Sequence, residues 1–218
     1  MGRYLASFAA YFSLLLLPAV INATPVPVIA PAPALENTKP EAGMFLVARC
    51  GFPDPNFSQT VVYLLQHDRE ATFGLVINRP SGKRLSDILA YVTDTPLASR
   101  PVYRGGPMDP DMLVMLMRNM PDSPQMRHVI DNLQASVSLQ VLDQILVEGK
   151  PANEVRFYLG YAGWSPGRLA QELRHHYWHL VKGDPAAVFG PGAATLWQKL
   201  INQLEPLCSM GSESIDRK

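Results

Sequence analysis

The sharpest chemical motif in the chain is a serine between two glycines. Residues 163–167 read Gly-Trp-Ser-Pro-Gly, which matches the G-x-S-x-G pattern of a hydrolase nucleophile after a strand. In that pattern the backbone N–H of the residue after the serine stabilises the oxyanion, but Pro166 has no N–H. Loss of one such donor lowers the rate roughly 10²–10³-fold. We therefore interpret Ser165 as the N-cap of a helix that starts at Pro166, with a hydrolase that uses Ser165 as the alternative.

Three histidines follow this motif, in the segment over 175–179. On a helix over 166–182, His175 and His179 would share a face, as two zinc ligands do. The zinc-protease pattern places a glutamate directly after the first histidine, and His176 stands there instead. No third ligand follows from the spacing, so we interpret a polar helix face, with a metal-dependent enzyme that uses the His175/His179 cluster as the alternative. We predict no catalytic residue, no metal site and no cofactor.

The chain has two cysteines, Cys50 and Cys208. Two are too few for a disulfide scaffold or a four-cysteine zinc site. The charge of the preceding Arg49 would favour a reactive thiolate at Cys50. In an oxidising compartment Cys50 would instead be able to pair with Cys208. A reactive thiol, a pair, or neither are the three alternatives that the sequence leaves open.

The elements that position these residues follow from apolar periodicity. The runs over 60–66 and 73–78 predict a hairpin. The run over 112–118 is apolar on both faces and predicts a central strand, with Met115 and Met117 on one face and Met112 on the other. Strands and helices alternate irregularly, which favours a mixed-sheet α+β domain. Further strands are predicted over 44–49, 101–104 and 155–162, and helices over 85–92, 137–147 (ending at Gly149), 166–182 and 194–204.

Composition excludes two classes of protein. Of 218 residues, 47% are hydrophobic, so the chain is not a disordered tail. Nineteen Lys and Arg balance nineteen Asp and Glu, so no net field attracts nucleic acid. We expect no nucleic-acid partner, and an unknown protein or a small-molecule ligand instead.

The first 23 residues have the pattern of a secretory signal peptide. Arg3 precedes an uncharged run over 4–17, Pro18 breaks the helix and Ala23 supplies a small residue for cleavage. This run is shorter than the roughly 20 residues that cross a bilayer, so we expect no stable membrane span in the mature chain. A proline-rich linker over 24–42, a folded domain over 43–206 and a flexible tail over 207–218 would follow. The protein is expected to be exported to the periplasm, with a cytoplasmic location as the alternative if the start codon is mis-assigned.

A set of short motifs stands in a fixed order over about residues 43–204. They are Gly43 to Ala48, Asp54-Pro55-Asn56-Phe57, Val61-Val62-Tyr63 with His67, Gly74 to Pro80 (GLVINRP), Gly105-Gly106-Pro107, and Gly160-Tyr161-Ala162-Gly163-Trp164 with Leu169, Glu172, Leu173, Trp178 and Phe189. Together, in this order, they resemble the YqgE/AlgH family. The chain departs from the usual family residues at Cys50, Gln66, Met112, Met117 and Ser165.

The resemblance implies one α+β domain with a mixed, partly barrel-like β-sheet flanked by helices. The family has no established reaction. The resemblance therefore implies a bacterial protein that binds or regulates and does not catalyse. Most of the shared motifs read as architecture, since glycine permits close backbone approach and Asp-Pro suits a turn. The polar exceptions are His67, Asn78 and Arg79, where we predict a ligand-binding cleft for a small molecule.

Overall fold

The computed structural model of the chain describes residues 38–210. The predicted signal peptide, most of the predicted linker and the end of the predicted tail lie outside the described residues. The strands are β1 (Met44–Ala48), β2 (Val61–His67), β3 (Thr72–Val76), β4 (Pro80–Arg84), β5 (Pro101–Arg104), β6 (Met108–Arg118), β7 (Arg127–Ile130), β8 (Leu133–Ser136), β9 (Val155–Trp164) and β10 (Trp178–Lys182). The α-helices are α1 (Leu85–Ile88), α2 (Leu139–Glu148), α3 (Arg168–Arg174), α4 (Pro185–Phe189), α5 (Leu196–Leu204) and α6 (Pro206–Met210).

The strands form one curled sheet in the order β10-β1-β2-β3-β9-β6-β8-β7. Neighbours along this path are antiparallel, whereas β5 pairs in parallel with β9 and antiparallel with β4. The curl brings β7, at one end of the sheet, close to β1, the neighbour of β10 at the other end, and Ile130 at the end of β7 packs over Gly43 just before β1. The predicted α+β fold with a mixed, partly barrel-like sheet is therefore confirmed.

The alternation of apolar side chains along β6 serves two separate cores. Val114 and Leu116 belong to the cluster inside the half-barrel, whereas Met115 and Met117 belong to a second cluster under α2. Because β6 pairs with β8 on one side and with β9 on the other, it is a central strand, as its two apolar faces predict.

The predicted helix over 166–182 is wrong in its second half. Helix α3 ends at Arg174, and His176 has a φ of +56°. The chain then continues as β10, which pairs with β1 along its whole length. The predicted cap is also displaced, because Gly167 rather than Ser165 precedes the first helical residue. Pairing with β1 prevails because it satisfies backbone groups that would otherwise lie unpaired at the edge of the sheet.

Helix α5 closes the inside of the sheet near β1. Its buried residues include Trp197, Leu200 and Ile201. The indole N–H of Trp197 donates a hydrogen bond of 2.7 Å to the carbonyl of Ala48. No helix among the described residues combines the length and the apolar content that crossing a membrane requires.

Candidate functional site

A cleft of about 690 Å³ opens at one end of the half-barrel. Its walls come from the ends of β2 and β8, the starts of β3 and β7, the first half of β6 and the last part of β9. Antiparallel pairing brings these ends together, so residues distant in sequence meet here. The residues that line the cleft include Leu65, Gln66, Phe73, Asp109, Met112, Val114, Gln125, Arg127, Ala135, Ser136, Val137 and Tyr161.

The floor of the cleft is the surface of the inner core. Leu65, Val114 and Ala135 line the cleft and are also buried members of the inner cluster. Met112 and Tyr161 are half-buried and pack against the same cluster. An apolar, concave surface with a few polar groups at its edge is the usual form of a small-molecule site.

Most of the polar groups at the edge are held by the protein itself. Tyr161 hydrogen-bonds Asp109, and the pKa of Tyr161 is raised first by burial and then by this carboxylate. Gln66 donates from its side chain to Asp68, and the Ser136 hydroxyl donates to the carbonyl of Gln125 over 2.7 Å.

Apolar side chains also reach solvent around the mouth of the cleft. Val137 lines the cleft and is 56% exposed, and Leu139 at the start of α2 is 51% exposed. Met108, which pairs with Tyr161 in the sheet, is 46% exposed. A group of exposed apolar residues beside a concave apolar floor marks a binding surface more often than scattered ones do.

The structure does not bring His67, Asn78 and Arg79 together. His67 ends β2, where its Nδ1 lies 2.7 Å from the Thr72 hydroxyl oxygen. Asn78 lies beside Val61, the first residue of β2, whose N–H donates to the Asn78 side-chain oxygen. Six residue steps of about 3.3 Å separate these two ends, roughly 20 Å.

Asn78 and Arg79 hold the backbone of the loop before β2. The amide of Asn78 donates to the carbonyl of Gln59 over 2.9 Å. The guanidinium of Arg79 donates to the carbonyls of Asn56 and Ser58, over 2.7 Å and 2.6 Å. Partial burial, followed by repulsion from Arg104, lowers the pKa of Arg79. Ligand binding at these three residues stays a prediction.

Ser165 lies exposed between β9 and α3, and its carbonyl accepts from the N–H of Arg168. Within residues 38–210, no histidine or carboxylate hydrogen-bonds its hydroxyl. The nearby Glu172 carboxylate instead accepts from the indoles of Trp164 and Trp178, over 2.8 Å and 2.9 Å. This carboxylate joins β9 to β10 through α3.

His175 and His179 do not share a helix face. His175 follows α3, and its Nδ1 lies 2.8 Å from the carbonyl oxygen of Gln171. His179 lies on β10, and its Nε2 lies 2.7 Å from a carboxylate oxygen of Glu205.

The Cys50–Cys208 disulfide is the second notable group, and it resolves the three alternatives for the cysteines in favour of the pair. Its Cα atoms are 6.2 Å apart, within the usual range for a disulfide. It joins the loop after β1 to α6, and Glu205 lies beside it. The Glu205 carboxylate accepts from Arg49 Nε over 2.5 Å and from the Cys50 N–H over 3.3 Å.

Burial and hydrogen bonding have opposing effects on the pKa values of Glu205 and His179, two titratable groups beside the disulfide. Burial would raise the pKa of Glu205, but hydrogen bonds from Arg49 and His179 lower that pKa overall. Burial is the largest influence on His179 and lowers its pKa, against the opposing effect of Glu205. The spacing of Glu205 and Cys208, three residues apart, is the one sequence signal that could have pointed to this group.

A family model described as AlgH-like (DUF179) matches residues 45–208. Among curated proteins, a UPF0301 protein of Streptomyces avermitilis is 33% identical over 168 residues, which cover 74% of this chain and 85% of that protein. A UPF0301 protein of Ralstonia nicotianae is 37% identical over 149 residues, which cover 66% of this chain and 78% of that protein.

Two solved structures share the fold. The solution structure of the AlgH protein from Pseudomonas aeruginosa matches with a TM-score of 0.65 and 29% identity, over 84% of this chain and 100% of that one. The crystal structure of protein DIP2367 from Corynebacterium diphtheriae matches with a TM-score of 0.65 and 25% identity, over 81% of this chain and 95% of that one.

Proposed function

The chain belongs to the AlgH-like family, and from its cleft we propose that it is a non-catalytic protein that binds a small apolar ligand at the mouth of the half-barrel. One observation carries this proposal: the cleft of about 690 Å³ has a floor made of core residues. A ligand that covers this floor removes apolar surface from water, at roughly 25 cal/mol per Å². The polar groups at the edge would orient the ligand rather than react with it.

The hydrolase and metal-enzyme alternatives have no comparable support. A serine nucleophile needs a base within hydrogen-bond reach, and the Ser165 hydroxyl has no such partner within residues 38–210. His175 and His179 do not share a helix face, and His179 is engaged by Glu205. The arrangement of Trp164, Glu172 and Trp178 supports a structural role for this junction.

We further propose that the protein works in an oxidising compartment, as an exported protein. The support is the Cys50–Cys208 disulfide, since such bonds persist outside the cytosol and are rare inside it. Mass spectrometry of the mature amino terminus tests export directly. A terminus near residue 24 would support the proposal, and an intact Met1 in cell extracts would contradict it.

Binding of the neutral apolar dye Nile red to the full chain tests the ligand proposal. We expect the dye to fluoresce in the presence of the wild-type chain. We also expect its affinity to fall at least tenfold in Ala135→Leu, which fills the floor, and in Met112→Asp, which places a charge on it.

The matched control is Val147→Phe, which adds bulk at a residue that is 88% exposed on α2 and outside the cleft. It should bind the dye as the wild type does. Thermal unfolding confirms that each variant is folded. Wild-type affinity in both cleft variants, or equal loss in the control, would refute the proposal.

A further inference from the structure

Three donor atoms converge at the C-terminal cross-link. Cys50 Sγ, Cys208 Sγ and a carboxylate oxygen of Glu205 all lie within 4.8 Å of one another. We propose that, when the disulfide is reduced, these three side chains bind one Zn²⁺, with water as the fourth ligand. Two thiolates and a carboxylate are ligands that zinc accepts, and a fourth position open to water is common among zinc sites.

The backbone holds the three donors together whether or not the sulfurs are bonded. Glu205 and Cys208 are three residues apart, and the N–H of Cys208 donates to the carbonyl of Glu205 over 3.0 Å. The N–H of Cys50 donates to Glu205 Oε2. A change of redox state at the sulfurs therefore leaves the positions of all three Cα atoms anchored.

The sulfurs need only a small movement to accept the ion. Two zinc–sulfur bonds of about 2.3 Å at a tetrahedral angle place the sulfurs roughly 3.8 Å apart, against about 2.0 Å in a disulfide. Each sulfur would move by roughly 1 Å, within reach of a side-chain rotation. Cys50 lies in an exposed loop and Cys208 is half-buried, so the core does not have to adjust.

The surroundings of Glu205 suit a metal-bound carboxylate. His179 and Arg49 both hydrogen-bond Oε1, and the N–H of Cys50 donates to Oε2, so the carboxylate is held beside the two sulfurs. Such second contacts orient a ligand and commonly change metal affinity 10–100-fold. Two thiolates, one carboxylate and Zn²⁺ carry a net charge of −1, and the guanidinium of Arg49 balances it.

The redox step is an ordinary thiol–disulfide exchange. A protein dithiol transfers two electrons and two protons to the Cys50–Cys208 bond, which yields two thiols while the dithiol becomes a disulfide. Binding of Zn²⁺ then releases the two thiol protons. The ion would link the loop after β1 to α6 as the disulfide does, so both redox states would keep the end of the chain docked.

Titration of the full chain with Co²⁺ tests the proposal, because thiolate–cobalt charge transfer reports sulfur ligands directly. We expect the chain reduced by a phosphine under nitrogen to bind one equivalent of Co²⁺, with charge-transfer bands and the visible bands of a four-coordinate ion. Zn²⁺ should displace it. The oxidised chain should show no such bands.

Variants separate this site from adventitious binding. Cys50→Ser should remove most of the charge-transfer intensity, and Glu205→Gln should keep the bands but weaken binding at least tenfold. Glu148→Gln, which removes a carboxylate on α2, is the matched control and should bind as the wild type does. Circular dichroism confirms that each chain is folded.

Absence of the bands in the reduced wild type would overturn the proposal, as would equal bands in Cys50→Ser or in the oxidised chain. Unchanged affinity in Glu205→Gln would remove the carboxylate from the ligand set and overturn the site as described.

Discussion

The hydroxyl of Tyr63 is a polar group whose burial costs folding free energy. Its side chain is fully buried inside the half-barrel, and its hydroxyl has no hydrogen-bond partner within residues 38–210. Burial, followed by the nearby charge of Asp131, raises the pKa of this phenol well above its usual range. A buried hydroxyl without a partner stabilises nothing, so its ring rather than its oxygen explains its place in the core.

We predict that Tyr63→Phe leaves the free energy of unfolding at neutral pH unchanged or raises it by up to about 1 kcal/mol, because only an unpaired hydroxyl is lost. The pKa of Tyr63 is higher in the folded state than in the unfolded state. Tyr63 therefore ionises less readily in the folded state, so its titration leaves the free energy of unfolding unchanged below the unfolded pKa of about 10 and lowers it as the pH rises above that value.

Urea unfolding over the alkaline range measures this difference. The Tyr63→Phe variant should lose less stability than the wild type as the pH rises past about 10. Tyr177→Phe, which removes a hydroxyl from a half-buried residue just before β10, serves as the control. An equal alkaline loss in wild type and Tyr63→Phe would contradict the prediction.

At the scale of elements, the crossing of the β5–β6 connection over β9 fixes the geometry of the sheet. Gly105 donates its N–H to the carbonyl of Leu159, and its own carbonyl accepts from Val76, both over 2.7 Å. A Cβ at Gly105 would lie 2.2 Å from the carbonyl oxygen of Gly160. The backbones meet too closely here for any side chain.

We predict that Gly105→Ala destabilises the fold by about 3 kcal/mol or more, since a backbone atom and not a flexible side chain blocks the new methyl group. Gly82→Ala is the matched control, because its Cβ would meet nothing within 4 Å although its φ is +80°. That change should cost only about 1–2 kcal/mol of conformational strain. Chemical unfolding compares the two variants. Equal losses of unfolding free energy would show that backbone strain, and not the contact with Gly160, determines the effect of Gly105→Ala.

The elements that the sequence predicts best are those whose pattern is local. Helix α2 ends at Gly149 with a φ of +64°, as a glycine after an amphipathic run predicts. The sequence predicts helix where β10 lies, because these residues carry no alternation that outweighs the preceding helical pattern. The partner residues of β10 on β1 lie at least 130 positions away in the chain, and no local signal reports that pairing.

At the scale of the whole molecule, the curl of the sheet creates the cleft, and this explains why the sequence does not reveal it. Each residue of the apolar floor, such as Leu65 on β2 or Ala135 on β8, reads from its own segment as an ordinary core residue. The family motif instead predicts a site at Asn78 and Arg79, whose side chains bind the backbone of the loop before β2. Polar residues are visible in a sequence, whereas a concave apolar surface appears only after the strands pair.

The Cys50–Cys208 disulfide spans 158 residues and so closes almost the whole described fold into one loop. Because a long loop loses much entropy on closure, we predict that Cys208→Ser lowers the free energy of unfolding by about 2–5 kcal/mol. For a chain of this size the corresponding fall in Tm is roughly 5–15 °C.

Three variants make the measurement specific to the bond, under oxidising, metal-free conditions. Cys50→Ser, Cys208→Ser and the double variant should share one Tm, because each breaks the same cross-link and the second substitution has nothing left to remove. Calorimetry of the oxidised wild type and the three variants provides the comparison. Wild-type Tm in either single variant, or additive losses in the double variant, would mean that the cysteines act separately and that α6 is held by its other contacts.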